Sequence, residues 1–477
     1  MSSHNITWSK YQLAIFDEAC NGSGNLLCSA RAGSGKTLVL VETINRLSKQ
    51  RSPSNRMNIL CVAFNKSIAV ELSERISKSY VDVSTIHSLG LRTLRHHIQK
   101  VQISPDKTRH IIQEIHPKIN FEDLYLLERA SGLCKNLMVD TPSKIDEVVD
   151  TYAIDPVELS REEFIKTITK IMRVSKERSN IVDYIDMIWL PTVLVLTPPT
   201  TYSHCLIDEI QDLTKLQLTV ALSACNKQTK VICFGDPNQV LYGFNSVSID
   251  SVEQVKKRLT AQQLSLPISY RCPKSVISLA KEFATDILAA PHSIEGSIHN
   301  IVSNQLMDYA TNGCFILSRT NAPLIKFCMQ FLRNKRPANI AGKDIGENLL
   351  YLIKKSNKKT LDTFLTWLEA WKKSETQRCF DKKRSNAWVI DKYECLVQLA
   401  EDAKNLEEVK DNIKALFQDI SDEDKVVFST VHKAKGLERE NVFLLNWTFK
   451  PDKNQEEANI KYVAITRSKN RLYFVEK

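Results

Sequence analysis

A glycine-containing segment, ARAGSGKT at residues 30–37, constrains the fold of this chain more than any other. It follows the apolar pair Leu26-Leu27 and precedes a helical pattern over residues 38–47. Glycine lets the backbone turn several N–H groups towards one point, and the first turn of a helix leaves further N–H groups without partners. The segment matches the phosphate-binding pattern G-x-x-x-x-G-K-[ST], except that Ala30 replaces the first glycine. It therefore predicts a strand, loop and helix that bind a nucleotide.

The side chains of this loop have separate expected roles. The positive charge of Lys36 can hold the β- and γ-phosphates, and the hydroxyl of Thr37 can bind Mg²⁺. Backbone N–H groups around the two glycines can surround the phosphates. The predicted nucleotide-binding residues of the loop are Ala32, Gly33, Ser34, Gly35, Lys36 and Thr37.

An acidic pair follows a short apolar run at residues 205–207. Asp208 is the expected metal ligand and Glu209 the group that polarises the attacking water, because ATP hydrolysis needs both beside the phosphate-binding loop. Acids after a strand can also be ordinary turn residues, but the upstream loop favours the catalytic interpretation. The amide of Gln239, after another apolar run, is the expected sensor of the γ-phosphate.

Short apolar runs, separated by helical patterns, recur along the 477 residues. Such runs are typical of buried parallel strands in an α/β fold. They form two clusters, within residues 26–235 and 314–475, and the chain is too long for one core, so two sheet-containing lobes are predicted. Residues 91–189 and 346–424 lack strand signals and are predicted to be helical insertions. The predicted strands after the first are 59–63, 205–207, 231–234, 314–317, 426–428, 442–445 and 472–475.

Charge and cysteine usage restrict the class of protein. Lys and Arg number 65 against 55 Asp and Glu, which favours a polyanionic partner. The basic run in the second insertion is explained equally well by a solvated helix surface and by a nucleic-acid face. Twelve cysteines without a C-x-x-C pair indicate reduced thiols, so neither disulfides nor structural zinc are expected.

The sequence also carries signals about location. The N-terminus lacks the apolar region of a signal peptide, and Pro191 interrupts the longest apolar run, near residues 188–196. We therefore expect no signal peptide, no transmembrane segment and no membrane partner. The expected location is the cytoplasm, the nucleoid or the nucleus.

The segments that follow the acidic pair make the pattern specific. DEIQD at 208–212 precedes GDPNQ at 235–239 and YGF at 242–244. With the loop, they resemble superfamily 1 helicases of the UvrD/Rep/PcrA type, and the resemblance continues in order from about residue 8 to the end. It implies two RecA-like lobes with parallel sheets, each with a mainly helical insertion. The implied divisions are 1–90 with 190–265 for the first lobe, 91–189 for its insertion, 266–345 with 425–477 for the second lobe, and 346–424 for its reduced insertion.

The resemblance assigns further contacts to ATP. Gln12 in WSKYQLAIFD corresponds to a residue that reads adenine, and Tyr270 in SYRCP to one that stacks on it. Arg271 is the implied γ-phosphate contact. Glu438 in STVHKAKGLE corresponds to a ribose contact, and Arg467 in YVAITRSKNRLY falls at the position of an arginine finger.

The resemblance also implies a path for DNA across both lobes. Two segments, AFNKSIAVEL and STIHSLG, correspond to the DNA-lining motifs of the first lobe. Taken singly, these residues have simpler explanations, such as core packing or a helix cap. The implied DNA contacts are Phe64, Asn65, Lys66, His87, Tyr242, Phe244, Thr430 and His432.

The implied activity is Mg²⁺-dependent ATP hydrolysis coupled to 3′→5′ movement on single-stranded DNA, by a hydrolase and isomerase of DNA repair or recombination. A 3′-tailed duplex is the expected substrate and a monomer the expected state, with any loading partner unspecified. Because the chain stops soon after residues 472–475, no nuclease domain is expected. Three alternatives stay open: a DNA or RNA translocase that displaces proteins with little unwinding, a nucleic-acid-binding subunit with weak catalysis, and a phosphate-loop ATPase with another client.

Overall fold

The computed structural model describes residues 7–52, 57–76, 78–152, 154–241, 251–381, 385–418 and 424–477. The helices of this part of the chain are α1 (Lys10–Asn21), α2 (Lys36–Lys49), α3 (Lys66–Arg75), α4 (Ile86–His97), α5 (Lys107–Ile115), α6 (Phe121–Leu137), α7 (Pro142–Thr151), α8 (Arg161–Glu177), α9 (Asp186–Val193), α10 (Lys215–Ser223), α11 (Ser251–Leu259), α12 (Lys274–Ala280), α13 (Leu306–Tyr309), α14 (Ala322–Arg333), α15 (Lys343–Ser356), α16 (Leu361–Asp381), α17 (Ala387–Ala400), α18 (Leu406–Leu416), α19 (Val431–Ala434) and α20 (Gln455–Ile465).

The strands alternate with these helices along the chain. They are β1 (Leu26–Ala30), β2 (Ile59–Ala63), β3 (Val81–Thr85), β4 (Gln102–Ile103), β5 (Ile181–Val182), β6 (His204–Ile207), β7 (Lys230–Gly235), β8 (Gln262–Leu266), β9 (Ile268–Ser269), β10 (Leu288–Ala289), β11 (Ser297–Val302), β12 (Phe315–Ser318), β13 (Ala338–Ala341), β14 (Phe417–Gln418), β15 (Val426–Thr430), β16 (Arg439–Leu445) and β17 (Ser468–Glu476).

The chain folds into two compact units. The first comprises Met1–Ala30 and Gly35–Pro267, and the second comprises Arg31–Ser34 and Ile268–Lys477. Each unit contains one large parallel sheet, so the predicted α/β class with two parallel sheets is confirmed.

The sheet of the first unit has six parallel strands in the order β3-β2-β6-β7-β1-β8. Alternate residues of its strands enter different cores: Leu26 packs with α1 and α2 on one face, whereas Leu27 faces the core that continues into the insertion. Both faces are therefore covered, which explains why the central strands β1, β2, β6 and β7 are mainly apolar. The strands β1, β6 and β7 end at the same edge of the sheet, and the residues that follow them form the candidate site.

The insertion of the first unit is mainly helical, with α5 to α9 around a core that includes Trp189. The prediction that residues 91–189 contain no strand is wrong in one detail, because β4 and β5 form a small parallel pair there. The pair joins Gln102 to Ile181 and Ile103 to Val182. Two residues per strand are too few to produce a periodic sequence pattern, which is why the sequence did not indicate them.

The sheet of the second unit has seven parallel strands in the order β11-β17-β16-β12-β15-β13-β14. The helices α15 to α18 lie between β13 and β14 in the chain, and their apolar side chains enter the same core as Phe428 and Phe443. The expectation that 346–424 contains no strand is also wrong, because Phe417–Gln418 pairs with Ile340–Ala341 at the edge of the sheet.

Within the described residues, no helix is both long enough and apolar enough to cross a membrane.

Candidate functional site

The predicted phosphate-binding loop joins β1 to α2. Gly33 and Gly35 have φ angles of 73° and 75°, a left-handed conformation that is costly for other residues. Gly35 directly precedes α2, so the loop lies at the N-terminal end of this helix. The first backbone N–H groups of α2 have no hydrogen-bond partners within the helix. Ala32 and Ser34 are buried. The loop thus has the backbone shape that its sequence predicts.

Lys36, the first residue of α2, lies against the predicted acidic pair. Its Nζ is 2.6 Å from Glu209 Oε1 and 3.5 Å from Asp208 Oδ1. Burial opposes the charged form of Lys36, but the two carboxylates raise its pKa above the ordinary value. Burial also raises the pKa of Asp208, although Lys36 acts in the opposite direction. The structure therefore brings together three residues that the sequence placed in one ATP site.

The acidic pair is held by the end of β6. Asp208 N donates to Val62 O of β2 at 3.1 Å, and Asp208 Oδ1 accepts from Glu209 N at 2.9 Å. Glu209 has a φ angle of 49°, which is uncommon for a residue with a side chain and costs about 1–3 kcal/mol. This turn ends the strand just after Ile207.

Gln211, which the sequence interpretation quoted but did not assign, connects the acidic pair to the next strand end. Its Nε2 donates to Glu209 Oε2 and, at 3.3 Å, to Asp212 Oδ2, while its Oε1 accepts from Asp236 N at 3.1 Å. Asp236 Oδ2 in turn accepts from Gln239 Nε2 at 2.8 Å. A continuous series of hydrogen bonds therefore joins the predicted base to the predicted γ-phosphate sensor.

The donor set fits Mg²⁺. The hydroxyl of Thr37, in the first turn of α2, and the carboxylate of Asp208 are hard oxygen donors, which Mg²⁺ prefers to nitrogen or sulfur. Asp208 is only 2% exposed. A buried carboxylate, together with a threonine hydroxyl, is a suitable protein contribution for a cation that also binds phosphates.

Gln12, the predicted adenine-reading residue, lies in the first turn of α1 and is buried. Its Oε1 accepts from Ser9 N at 2.9 Å, and its N donates to Ser9 Oγ at 3.3 Å. These reciprocal bonds form a capping box that stabilises the start of the helix. The contact with adenine stays a prediction.

The predicted DNA contacts of the first unit lie at the starts of α3 and α4. Asn65 caps α3, since its Oδ1 accepts from Ile68 N at 2.9 Å, and Phe64 packs partly against the core. Lys66 is exposed. His87 lies in the first turn of α4, where burial lowers its pKa.

A groove of about 540 Å³ lies between α3 and the β3–α4 junction. Of the four predicted contacts, only Lys66 lines it. The sequence interpretation missed its hydroxyl groups, three of which lie in STIHSLG, where the signal was a high content of serine and threonine. The hydroxyl-bearing lining residues are Ser73, Ser84, Thr85 and Ser88.

The predicted ATP contacts of the second unit form their own cluster. Arg271 makes an ion pair with Glu438, and Tyr270 is 49% exposed. Arg467 is buried, and its Nε and Nη1 donate to Val463 O at 2.9 Å and Leu437 O at 3.1 Å. Burial and the nearby charge of Arg271 lower the pKa of Arg467 to about 10.

The four remaining predicted DNA contacts are Thr430, His432, Tyr242 and Phe244. Thr430 is buried at the end of β15, and His432 lies partly buried in α19. Tyr242 and Phe244 lie outside the described residues.

Family models cover most of both units. The UvrD/REP helicase N-terminal domain matches residues 14–260. The chain belongs to the UvrD/Rep helicase family. The UvrD-like helicase C-terminal domain matches residues 354–476 of this UvrD-like chain. The resemblance of the motifs and the assignment of two RecA-like lobes are thereby confirmed.

Individual relatives are distant. DNA helicase II of Haemophilus influenzae is 25% identical over a match of 347 residues. The match covers 63% of this chain and 47% of the relative. The ATP-dependent DNA helicase PcrA of Staphylococcus aureus is 25% identical over 285 residues, 54% of this chain and 38% of the relative. DNA helicase II of Rickettsia typhi is also 25% identical, over 55% of this chain and 42% of the relative. The UvrD-like chain thus spans less than half the length of these relatives in each match.

Proposed function

We propose that this UvrD-like chain is an ATP-dependent DNA helicase that moves 3′→5′ on single-stranded DNA. The observation that carries the proposal is the position of Lys36, between Asp208 and Glu209 at the carboxyl edge of the first sheet. Family membership and relatives named DNA helicase II and PcrA support a DNA substrate. A 3′-tailed duplex is the proposed substrate and a monomer the proposed active form.

In the proposed reaction, the triphosphate draws Lys36 away from Glu209. Glu209 then accepts a proton from the water that attacks the γ-phosphorus, and ADP leaves as the bond to the β-phosphate oxygen breaks. Mg²⁺, when bound through Thr37 and Asp208, would neutralise charge on the phosphate oxygens. Gln239 would report the loss of the γ-phosphate through Asp236, its hydrogen-bond partner.

The arginines of the second unit would stabilise charge on the transferring phosphoryl group when the lobes close. A pKa of about 10 leaves Arg467 positively charged at neutral pH, and its bonds to Val463 and Leu437 fix its direction. Arginine fingers are worth about 10³–10⁵ in rate in other phosphoryl-transfer enzymes. Dependence of closure on the nucleotide would convert hydrolysis into movement along the strand.

The groove between α3 and the β3–α4 junction would hold the strand. Its hydroxyl groups and Lys66 can contact phosphates, which are the same for every base sequence. A translocating enzyme needs such sequence-independent contacts, together with bases stacked on aromatic residues. Phe64, His87, Tyr242, Phe244, Thr430 and His432 remain proposed contacts of this kind.

The proposal is tested by unwinding of duplexes with matched 3′ and 5′ tails, with ATP and Mg²⁺ present. We expect ATP hydrolysis to be stimulated by single-stranded DNA more than by RNA, and only the 3′-tailed duplex to open. Opening of the 5′-tailed duplex alone would contradict the polarity. Stimulated hydrolysis without opening would indicate a translocase that displaces proteins, and the absence of hydrolysis would leave only a nucleic-acid-binding subunit.

A further inference from the structure

The side chain of Gln211 is completely buried between the ends of β6 and β7, which are neighbours in the sheet. It donates through Nε2 to Glu209 Oε2 and accepts through Oε1 from Asp236 N. Its backbone oxygen accepts from Ser251 Oγ at 3.2 Å, at the start of α11. Both ends of the amide and the main chain are therefore occupied by different segments of the first unit.

Only a residue with a donor and an acceptor at this distance from the backbone can make both contacts. Glutamate could not donate to Glu209, and its charge would face the carboxylates of Glu209 and Asp212. Asparagine would be one methylene shorter. Glutamine at position 211 is therefore explained by the hydrogen bonds that it makes, and not only by the volume of its side chain.

The end of β7 leaves room for this amide because residue 235 is glycine. A Cβ at Gly235 would lie 2.6 Å from Gln211 Oε1 and 2.6 Å from Ile210 Cγ2. Real Cβ atoms do not approach other atoms so closely, so an alanine there would displace the Gln211 side chain. The position of the Gln211 side chain therefore depends on a glycine at residue 235, at the end of the neighbouring strand.

We propose that Gln211 is a positioning residue that holds the Glu209 carboxylate in place after Lys36 moves to the nucleotide. The inference rests on the proposed ATP hydrolysis. In the structure, Glu209 Oε1 faces Lys36 and Oε2 faces Gln211. Once Lys36 binds phosphate, the bond from Gln211 keeps the carboxylate from following it, and Oε1 becomes available to the attacking water.

The same residue links the base to the γ-phosphate sensor. Gln211 Oε1 fixes the N–H of Asp236, whose carboxylate holds Gln239. A shift of Gln239 on loss of the γ-phosphate is therefore transmitted to Glu209 through one amide. Lys36, Asp208, Asp212 and Asp236 are the charged residues that surround this amide and the carboxylate it orients.

A double-mutant cycle between residues 209 and 211 tests the proposal. The rate of ATP hydrolysis, with a dT oligonucleotide present, is measured for the parent, Gln211→Met, Glu209→Ala and the double variant. We expect Gln211→Met to lower kcat by about tenfold or more, since an oriented general base contributes about 10²–10⁴-fold. Its KM for ATP and its affinity for the oligonucleotide should change less than about twofold.

The decisive comparison is between the effects of Gln211→Met on kcat in the parent and in Glu209→Ala, which lacks the proposed base. If Gln211 acts through Glu209, the substitution should change the residual rate of Glu209→Ala by less than about twofold. Equal losses of kcat in the two backgrounds would overturn the positioning role and indicate a structural effect. Gln228→Met, at an exposed glutamine, is the control for Gln211→Met and should keep the parent rate.

Two further measurements keep the result unambiguous. If Gln211→Met does not fold, as judged by its thermal unfolding, Gly235→Ala provides the same displacement of the amide and should show the same dependence on Glu209. A folded parent without DNA-stimulated hydrolysis would overturn the proposed function, and the role of Gln211 with it. A parent that hydrolyses ATP while both variants retain its kcat would overturn the role of Gln211 alone.

Discussion

The Nζ of Lys36 lies 2.6 Å from Oε1 of Glu209, so the proposed phosphate-binding lysine and the proposed base form an ion pair in the first unit. The pair joins the first residue of α2 to the turn after β6. In the proposed function, a triphosphate would compete with Glu209 for the lysine, and its binding would release the proposed base.

Replacing Lys36 by alanine is expected to abolish turnover. The variant lacks the charge that holds the β- and γ-phosphates, and we expect kcat/KM for ATP to fall by at least about 100-fold. Binding of single-stranded DNA, measured by fluorescence anisotropy, should largely survive. Lys49→Ala, at the exposed end of the same helix, is the control. Hydrolysis at the parent rate by Lys36→Ala would show that the loop does not bind the phosphates.

Replacing Lys66 by alanine should weaken DNA binding equally for all base sequences. Lys66 lines the groove at the start of α3, and each phosphate contact on a single strand contributes about 0.7 to the slope of log K against log salt concentration. Titrations at several salt concentrations should show a slope smaller by about that amount. An unchanged slope, matching that of Lys49→Ala, would exclude Lys66 from the strand-binding surface.

Asp123→Asn should destabilise the insertion of the first unit. Asp123 is buried and accepts from the N–H groups of Val157, Glu158 and Leu159 at 2.6, 2.9 and 3.0 Å. Asparagine has no charge and only one side-chain oxygen, so it cannot accept from all three N–H groups as the two carboxylate oxygens do, and the free energy of unfolding should fall by about 1–3 kcal/mol. Urea denaturation measures the change, with the exposed Asp140→Asn as control.

The same carboxylate predicts a dependence on pH. Burial alone would raise the pKa of Asp123, but the backbone N–H groups outweigh it and lower the pKa. Because the folded-state pKa lies below the unfolded one, the stabilisation is present above about pH 4 and is lost as the pH falls further. The difference in the free energy of unfolding between the parent and Asp123→Asn should therefore become smaller as the pH falls below about 4. A constant difference down to low pH would contradict this assignment.

Asp186→Ala should be the most destabilising of these substitutions. Asp186 is fully buried, with Oδ2 2.5 Å from Lys107 Nζ and Oδ1 2.8 Å from Lys135 Nζ. Its removal leaves two buried lysines underpaired, and breaking a buried pair costs about 3–5 kcal/mol. Asp146→Ala removes a half-exposed pair with Arg161 and should cost less than about 1 kcal/mol. Similar losses for both variants in urea denaturation would contradict the difference in burial.

The central strands and the nucleotide loop were predictable from the sequence because their signals are local. Glycines at 33 and 35 and the acids after β6 each lie within a few residues of the feature they determine. The predicted central strands 59–63 and 442–445 lie within β2 and β16. Buried on both faces, such strands are apolar throughout, and a continuous apolar run is easy to recognise.

The edge strands were missed for the opposite reason. β3, β8 and β11 have a neighbour on only one side and carry polar side chains that are exposed or partly exposed, as in VDVST, QQLSL and SIHNIV. Their sequences do not form apolar runs. Their place in the sheet depends on strands far away in the chain.

The role of Gln211 could not be read from the sequence because it depends on a side-chain direction. DEIQD places an amide near two acids, but only the folded structure shows that it joins Glu209 to Asp236. Arg467 illustrates the same limit. Its motif predicts an arginine directed at phosphate, whereas its burial and its bonds to Val463 and Leu437 depend on the packing of α20.

The order of strands in the first sheet has a consequence for biosynthesis. β1 is made before both of its sheet neighbours, β7 and β8, which follow only after the whole insertion. Until then its backbone groups have no sheet partners, and exposed unpaired strands are prone to aggregate. The nascent first unit therefore depends on the late completion of its own sheet, and a chain interrupted before residue 230 would carry the predicted phosphate-binding loop without the scaffold that shapes it.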